Sequence, residues 1–308
     1  LPTDIFNMGS LVRDSYADEE LKLVSHTGYP EDIIQFHKRR VDNETIYRVR
    51  SKFDGLRAWF TGEHPIQTAK VKVRRLVQDN KRRTYHIIGT QWTKAKNIKR
   101  GDYICIPKAK FGKNVKLEYS SLASSTWEYQ INKENDRVCS MSPNAFQQES
   151  GCPKQFCNAE DFYWLLGLYV AEGSCSHNTV YFSLHQDEHG IINRIKHIAE
   201  DTWGMKVATR PLKDSLGVNV AICSKAFREL IKSLVPGTTV EKTKHVKYHK
   251  LDSKYLESFL DGIWQGDGTR PQQIYQTTDS KRISTSVPHL AYLYFQVAAQ
   301  AGYHPSLK

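Results

Sequence analysis

Two short stretches decide how this chain folds: Leu165-Leu-Gly-Leu-Tyr-Val-Ala-Glu-Gly-Ser174 and Phe259-Leu-Asp-Gly-Ile-Trp-Gln-Gly-Asp-Gly-Thr269. Aligned on their acids they write one pattern twice. Gly167 and Ala171 precede Glu172-Gly173, and Gly262 and Gly266 precede Asp267-Gly268. The offset is 267 − 172 = 95 residues. Small residues at i and i+4 share one helical face, where two backbones can approach closely. Each helix then meets an acid and a glycine, the usual helix-stop residue. Packed together, two such helices would bring both carboxylates to one end of their seam. Paired acids there have little structural value and an obvious chemical one, which is to hold divalent metal at a phosphodiester.

The rest of the chain supplies a setting for that pair. With 308 residues there is room for two domains. A hydrophobic content of 39% supports real cores. No apolar run approaches the roughly 18 residues of a membrane helix, so no membrane partner is expected. The opening Leu-Pro-Thr-Asp-Ile-Phe-Asn-Met-Gly-Ser lacks the basic and apolar regions of a signal peptide. Of the six cysteines, Cys152 and Cys157 are close, but their spacing is not that of a usual zinc pair. Isolated reduced thiols are the expectation. The formal charge is +11, with lysines and arginines interleaved among Tyr, Ser, Thr and Gln. That distribution suits a broad surface for a polyanion such as nucleic acid, although charge alone also fits a merely basic soluble protein.

Both acids sit in a repeated series of elements. Asn158, with Asp161 three residues on, reads as an N-cap and capping box for a helix from Ala159 to about Glu172. Asp252 or Ser253 caps the second helix. A polar strand around Val180 to Ser183 follows the first acid. Then come a helix from Glu188 to about Trp203, strands around Lys206 to Ala208 and Val218 to Ile222, and a helix from Lys225 to Leu234. After the second acid, a strand at Gln273 to Thr278 and a helix from Pro288 to Ala301 restart that series.

Residues 1 to 107 read as β-rich. Alternating strands are expected at Thr45 to Arg50, Leu56 to Phe60, Lys70 to Arg74 and Tyr85 to Gly89, with Asp54-Gly55 and Thr61-Gly62 as turns. A helix is expected around Glu31 to Lys38. Residues 108 to 157 form a basic stretch of little periodicity. They read either as a linker or insertion, or as an arm whose Lys108, Lys110, Lys113 and Lys116 face DNA phosphates.

Two resemblances rest on these residues. Thr61-Gly-Glu-His64, followed by a segment with Trp92, Ala95, Gly101, Asp102 and Pro107, resembles the Hint domain of inteins. Leu1-Pro-Thr-Asp-Ile5 is similar to the opening of an intein without its cysteine. The resemblance implies acyl transfer, with Thr61 and His64 polarising a scissile amide and host protein exteins as partners. Lacking that cysteine and a terminal His-Asn, the polypeptide as it stands is not expected to splice itself.

The paired helices resemble the double-motif LAGLIDADG homing endonucleases over residues 158 to 308. That implies an α+β fold: a β-rich Hint-like domain (1–107), then a pseudo-two-fold endonuclease domain (158–308) of αββαββα repeats. It further implies cleavage of a long double-stranded DNA site. Glu172 and Asp267 would bind Mg²⁺, with Mn²⁺ a substitute, and cut both strands. Lys242 stands where the family carries a basic catalytic residue, 267 − 242 = 25 residues before the second acid, with Lys244 the alternative. Strand residues would read bases: Ser176, His177, Asn178, Tyr181, Ser183 and His185 in the first half, and Arg270, Gln272, Gln273, Tyr275 and Thr277 in the second. The first unit has 242 − 172 = 70 residues between its acid and Lys242, whereas 308 − 267 = 41 follow the second acid. The second repeat is therefore expected to be truncated, in a monomer completed by further chain or by a C-terminal fragment. Three functions remain open: an intein-borne site-specific endonuclease, a splicing element with an inactive endonuclease, and an RNA maturase.

Overall fold

A computed structural model of the chain describes residues 4–6, 22–25, 29–32, 36–38, 43–50, 57–75, 83–106, 110–122, 129–132, 135–140, 151–213, 215–237, 246–247, 250–269, 282–303 and 305–307. It is a mixed α+β structure with several small sheets. The chain divides into two units, Leu1–Lys110 with Pro305–Lys308, and Phe111–His304.

The first unit is built of antiparallel strands. Pro65–Arg75 pairs with Arg83–Lys94 in a long hairpin, Pro65 opposite Lys94 and Arg75 opposite Arg83, with one irregularity at Lys70/Val71. Tyr103–Ile104 pairs with the other edge of Pro65–Arg75, Thr68 opposite Ile104. Ile46–Arg50 pairs with Arg57–Thr61. These strands fall where alternation places them. The helix expected around Glu31 to Lys38 is not formed: Pro30–Asp32 pairs with Lys22–Val24, and Phe36–Lys38 with Asp4–Phe6. A short polar segment with a proline at its start takes the state that its cross-strand partners offer. Among the described residues of this unit, Ile66, Thr68 and Ala95 are buried, while Trp59, Ile87, Ile88 and Trp92 stand exposed.

In the second unit the order is helix Ala159–Glu172, strands Gly173–Ser176 and Thr179–His185, helix His189–Lys196, strands Val207–Pro211 and Gly217–Cys223, and helix Lys225–Leu234. The series then restarts with helix Leu256–Asp267, strands Gly268–Thr269 and Arg282–Ile283, and helix Pro288–Gln300. The first four strands form one antiparallel sheet, in the order Gly173–Ser176, Thr179–His185, Gly217–Cys223, Val207–Pro211. Helix Ala159–Glu172 buries every residue from Phe162 to Val170. Such an all-round apolar helix belongs at the centre of a core. Phe162 packs on Phe156 and Trp203, and Tyr169 on Phe182 of the sheet.

Described residues of the stretch from 111 to 157 take part in the core of the second unit. Phe111, Tyr119, Leu122, Val138, Cys152 and Phe156 belong to the same core as the central helix. Tyr129–Asn132, Arg137–Ser140 and Cys152–Pro153 make a three-stranded sheet, and Arg137 donates to the Trp203 carbonyl at 2.7 Å. Their apolar residues are too scattered to show a period, yet each fills its own place against the helices. The division between the two units falls at Lys110/Phe111.

Candidate functional site

The seam between helices Ala159–Glu172 and Leu256–Asp267 is built on absent side chains. A Cβ on Gly167 would run into the Phe259 carbonyl and lie 3.1 Å from the Ile263 nitrogen. A Cβ on Gly262 would run into the Trp164 carbonyl and lie 2.8 Å from the Leu168 nitrogen. These contacts are reciprocal at the sequence offset: 164 + 95 = 259 and 167 + 95 = 262. The two helices are thus related by a local two-fold, under which Ala171 corresponds to Gly266 and Glu172 to Asp267. On Gly266 a Cβ would lie 2.6 Å from the Ala171 Cβ and 3.0 Å from the Glu172 Cγ. The acid-bearing ends of the helices are therefore in contact, and the seam brings Glu172 and Asp267 to the same end.

Both helices stop at their acids by turning straight into a strand. Gly173 and Gly268 are extended, with φ −85° and −89°, rather than left-handed as a glycine stop would have it. They are glycines for lack of room: a Cβ on Gly173 would lie 2.5 Å from the Tyr169 carbonyl oxygen, and one on Gly268 would meet that of Trp264, again 95 residues on.

The N-termini differ from the expected caps. Asn158 is at the cap position but left-handed, φ 61°, and its side chain caps no backbone group. Instead its amide bonds the Asp161 carboxylate, which also accepts from Arg194 at 3.2 Å. Arg194 in turn lies over the Trp164 ring, 4.1 Å from its centroid. At the second helix a 3₁₀ turn, Ser253–Tyr255, comes first. Here Asp252 is the cap, accepting from Lys254 N at 2.9 Å and from Val115 N at 2.8 Å.

Around the acids the halves diverge. The Tyr294 hydroxyl donates to Asp267 Oδ2 at 2.7 Å. Burial, with the Asp267 and Glu172 carboxylates nearby, holds this phenol well above its ordinary pKa, so it remains a donor. Ser284 N donates to the Asp267 carbonyl at 3.1 Å. Sequence reading missed Tyr294, since helical periodicity marks it only as one more member of an apolar face.

Beyond Glu172 the four-stranded sheet has one buried and one open face. Val180, Phe182 and Leu184 point into the core, while Ser183 and His185 are exposed and Tyr181 half-buried on the other side. Ser176 and His177 are exposed and Asn178 half-buried at the turn. Pairing adds residues the sequence reading left out: Ser183 lies opposite Asn219, and Arg210 opposite Asn219 on its other side. Ser183 donates to Asn219 Oδ1 at 3.1 Å. Alternation in Gly217–Cys223 could have found Asn219, but not which neighbours share its face.

Lys242, Lys244, Arg270, Gln272, Gln273, Tyr275, Thr277 and Lys108 lie outside the described residues. Lys113 is exposed, and Lys110 Nζ sits over the Tyr29 ring at 3.7 Å. Among the described residues no group of three or more His, Cys, Asp or Glu could hold a metal.

In the first unit, Thr61 ends a strand and His64 stands just before the next, Pro65–Arg75, with His64 N donating to Thr61 O at 3.0 Å. The turn docks on the 3₁₀ turn Ala95–Asn97: Ala95 N donates to His64 O at 2.9 Å and Lys96 N to Gly62 O at 3.1 Å. Segments some thirty residues apart in sequence thus meet. Between them Glu63 accepts from both Lys94 and Lys96, which bring its carboxyl down to about 2. The exposed His64 ring lies against Phe60, centroids 4.8 Å apart.

No family model matches the chain. A curated protein of Methanocaldococcus jannaschii, described as uncharacterized, is 22% identical over 222 residues, covering 68% of this chain and 26% of that protein. The chain thus spans about a quarter of that relative's length. No described helix is long and apolar enough to cross a membrane.

Proposed function

We propose that the second unit is a LAGLIDADG-type, metal-dependent endonuclease that makes a double-strand break in a specific DNA site, carried by an intein whose Hint-like part is the first unit. The observation that carries this is the reciprocal seam at a constant offset of 95 residues, with Glu172 and Asp267 at its one acidic end. A local two-fold through paired acids matches the two strands of a duplex, which present two scissile phosphates in opposite senses. Two carboxylates are too few for a closed protein cage, but they fit Mg²⁺, which commonly takes one or two carboxylates and completes its shell with water and substrate phosphate. An ion held there would supply Lewis-acid polarisation of the phosphate and charge stabilisation at the departing 3′-oxygen. Glu172 and Asp267 would hold it, each carried on a helix end set by the close backbone contact of the seam. The open sheet face with Tyr181, Ser183, His185, Asn219 and Arg210 offers donors and acceptors for base edges and phosphates. The net charge of +11 favours a polyanion. The Thr61–His64 turn seated against Ala95 supports the Hint-like reading of the first unit.

The test is incubation with Mg²⁺ and the host allele joined across the insertion point, at moderate salt. The wild type should linearise it, and Glu172→Gln with Asp267→Asn should not. Equal cleavage by both would remove the site assignment.

A further inference from the structure

Two side chains on the open sheet face could each present a donor or an acceptor, and a neighbour settles the choice in both. An asparagine amide carries an acceptor at one tip and two donors at the other. Asn219 is half-buried opposite the exposed Ser183, whose hydroxyl donates to Asn219 Oδ1 at 3.1 Å. That bond fixes the sense of the amide and leaves Nδ2, with its two hydrogens, as the tip to offer. A neutral imidazole likewise has one donor and one acceptor nitrogen. At the end of the same strand Asp187 N donates to His185 Nδ1 at 3.3 Å, which puts the ring hydrogen on Nε2. The Asp187 carboxylate stands 3.4 Å from that Nδ1, so a protonated ring would keep its Nε2 hydrogen too. Arg210, opposite Asn219 on its other side, has donors alone. At these three positions the face offers hydrogens, and its complement is an edge of acceptors. Resting on the endonuclease reading above, we propose that Ser183 is a positioning residue that sets the base preference of this half-site. By holding Oδ1 it makes Asn219 a reader of guanine rather than adenine, with His185 Nε2 calling for a second acceptor.

The physical case lies in the major groove, where guanine presents two acceptors, N7 and O6, and adenine an acceptor and a donor, N7 and the N6 amine. An asparagine with both tips to spare bonds adenine through both at once. With Oδ1 engaged by Ser183, the adenine amine loses its matched partner, and guanine, which calls for donors only, is favoured. His185 is diagonal to Asn219 across the strand pair, a separation of about 7–8 Å. That is about two base-pair rises of roughly 3.4 Å, so the two donors address separate base pairs of one groove. Arg210 beside them supplies charge for a phosphate, which fixes register without reading sequence.

The test is selection by the full chain from a randomised duplex library without divalent metal, followed by titration of the selected duplex and its guanine-to-adenine variants. The wild type should select a site holding a guanine that it prefers to adenine about tenfold, a preference that Asn219→Ala removes. Ser183→Ala should abolish or reverse that preference, whereas Ser183→Thr, which keeps the hydroxyl, should retain it. Replacing the guanine by 7-deazaguanine, which lacks the N7 acceptor, should weaken wild-type binding about tenfold and leave binding by Asn219→Ala unaffected. Both positions lie on the open face, so the fold should survive, and urea unfolding checks that it does. A loss of affinity in Ser183→Ala with an unchanged guanine-to-adenine ratio would mark the bond as merely structural and overturn the proposal. So would a wild-type site without such a guanine. If the chain selects no duplex at all, the endonuclease reading fails and this proposal with it. If it selects a duplex and cuts it in Mg²⁺, yet shows no guanine preference that Ser183 controls, the endonuclease reading stands and this proposal alone fails.

Discussion

Gly167 lies under the Phe259 carbonyl and Gly262 under that of Trp164, so each helix of the seam sees its partner in the same way. Their surroundings are not equivalent. Glu172 leads into a four-stranded sheet with an open polar face, whereas Asp267 leads into a two-residue strand and is gripped by Tyr294. The first helix begins at a left-handed Asn158 that caps nothing on the backbone, and the second at a buried Asp252 that accepts two N–H groups. The close packing of two backbones leaves no latitude and is therefore repeated. The periphery is free to diverge, and there the two halves differ.

The strongest way to break this comparison is at the seam. Gly167→Ala and Gly262→Ala should each cost about 3 kcal/mol or more, since a methyl inside a partner's carbonyl forces the helices apart. The costs, read by urea unfolding, should be similar. They should also be less than additive, because the first substitution already opens the gap that the second needs. A cheap substitution at either position would refute the close approach.

Next in size is the difference between the caps. Asp252→Ala should cost about 2 kcal/mol, leaving the N–H groups of Lys254 and Val115 without their acceptor. Asn158→Gly should change stability by less than about 0.5 kcal/mol, since glycine suits the left-handed backbone and no backbone cap is lost. Equal costs at the two positions would mean that the helices begin alike after all.

The smallest effect is expected on the open sheet. Arg210→Ala should leave folding intact and lower the slope of log K against log salt for duplex DNA by about 0.9, the share of one phosphate. An unchanged slope would take Arg210 off the DNA surface.

Much of the second unit was legible in the sequence. The boundaries Ala159–Glu172 and Lys225–Leu234 follow from apolar periodicity and spacing, and the seam from glycines four residues apart. What escaped was set by tertiary partners. Pro30–Asp32 and Phe36–Lys38 became strands because other strands were there to pair with. Phe111, Tyr119 and Phe156 entered the core singly, without a period to announce them. Tyr294 owes its role to which helix end lies beneath it, information that no local pattern carries. The glycines after the acids stand where the helices stop, as expected, but on an extended backbone and because of the neighbouring carbonyl.

The central claim is that Glu172 and Asp267 form one shared site at the end of a two-fold seam. Its most direct test is cleavage of the insertion-free host allele in Mg²⁺ by wild type, Glu172→Gln, Asp267→Asn and the double variant, with each strand labelled. The account predicts a double-strand break by the wild type, impaired cutting by each single variant and no cutting of either strand by the double variant. Undiminished cutting by the double variant would contradict it.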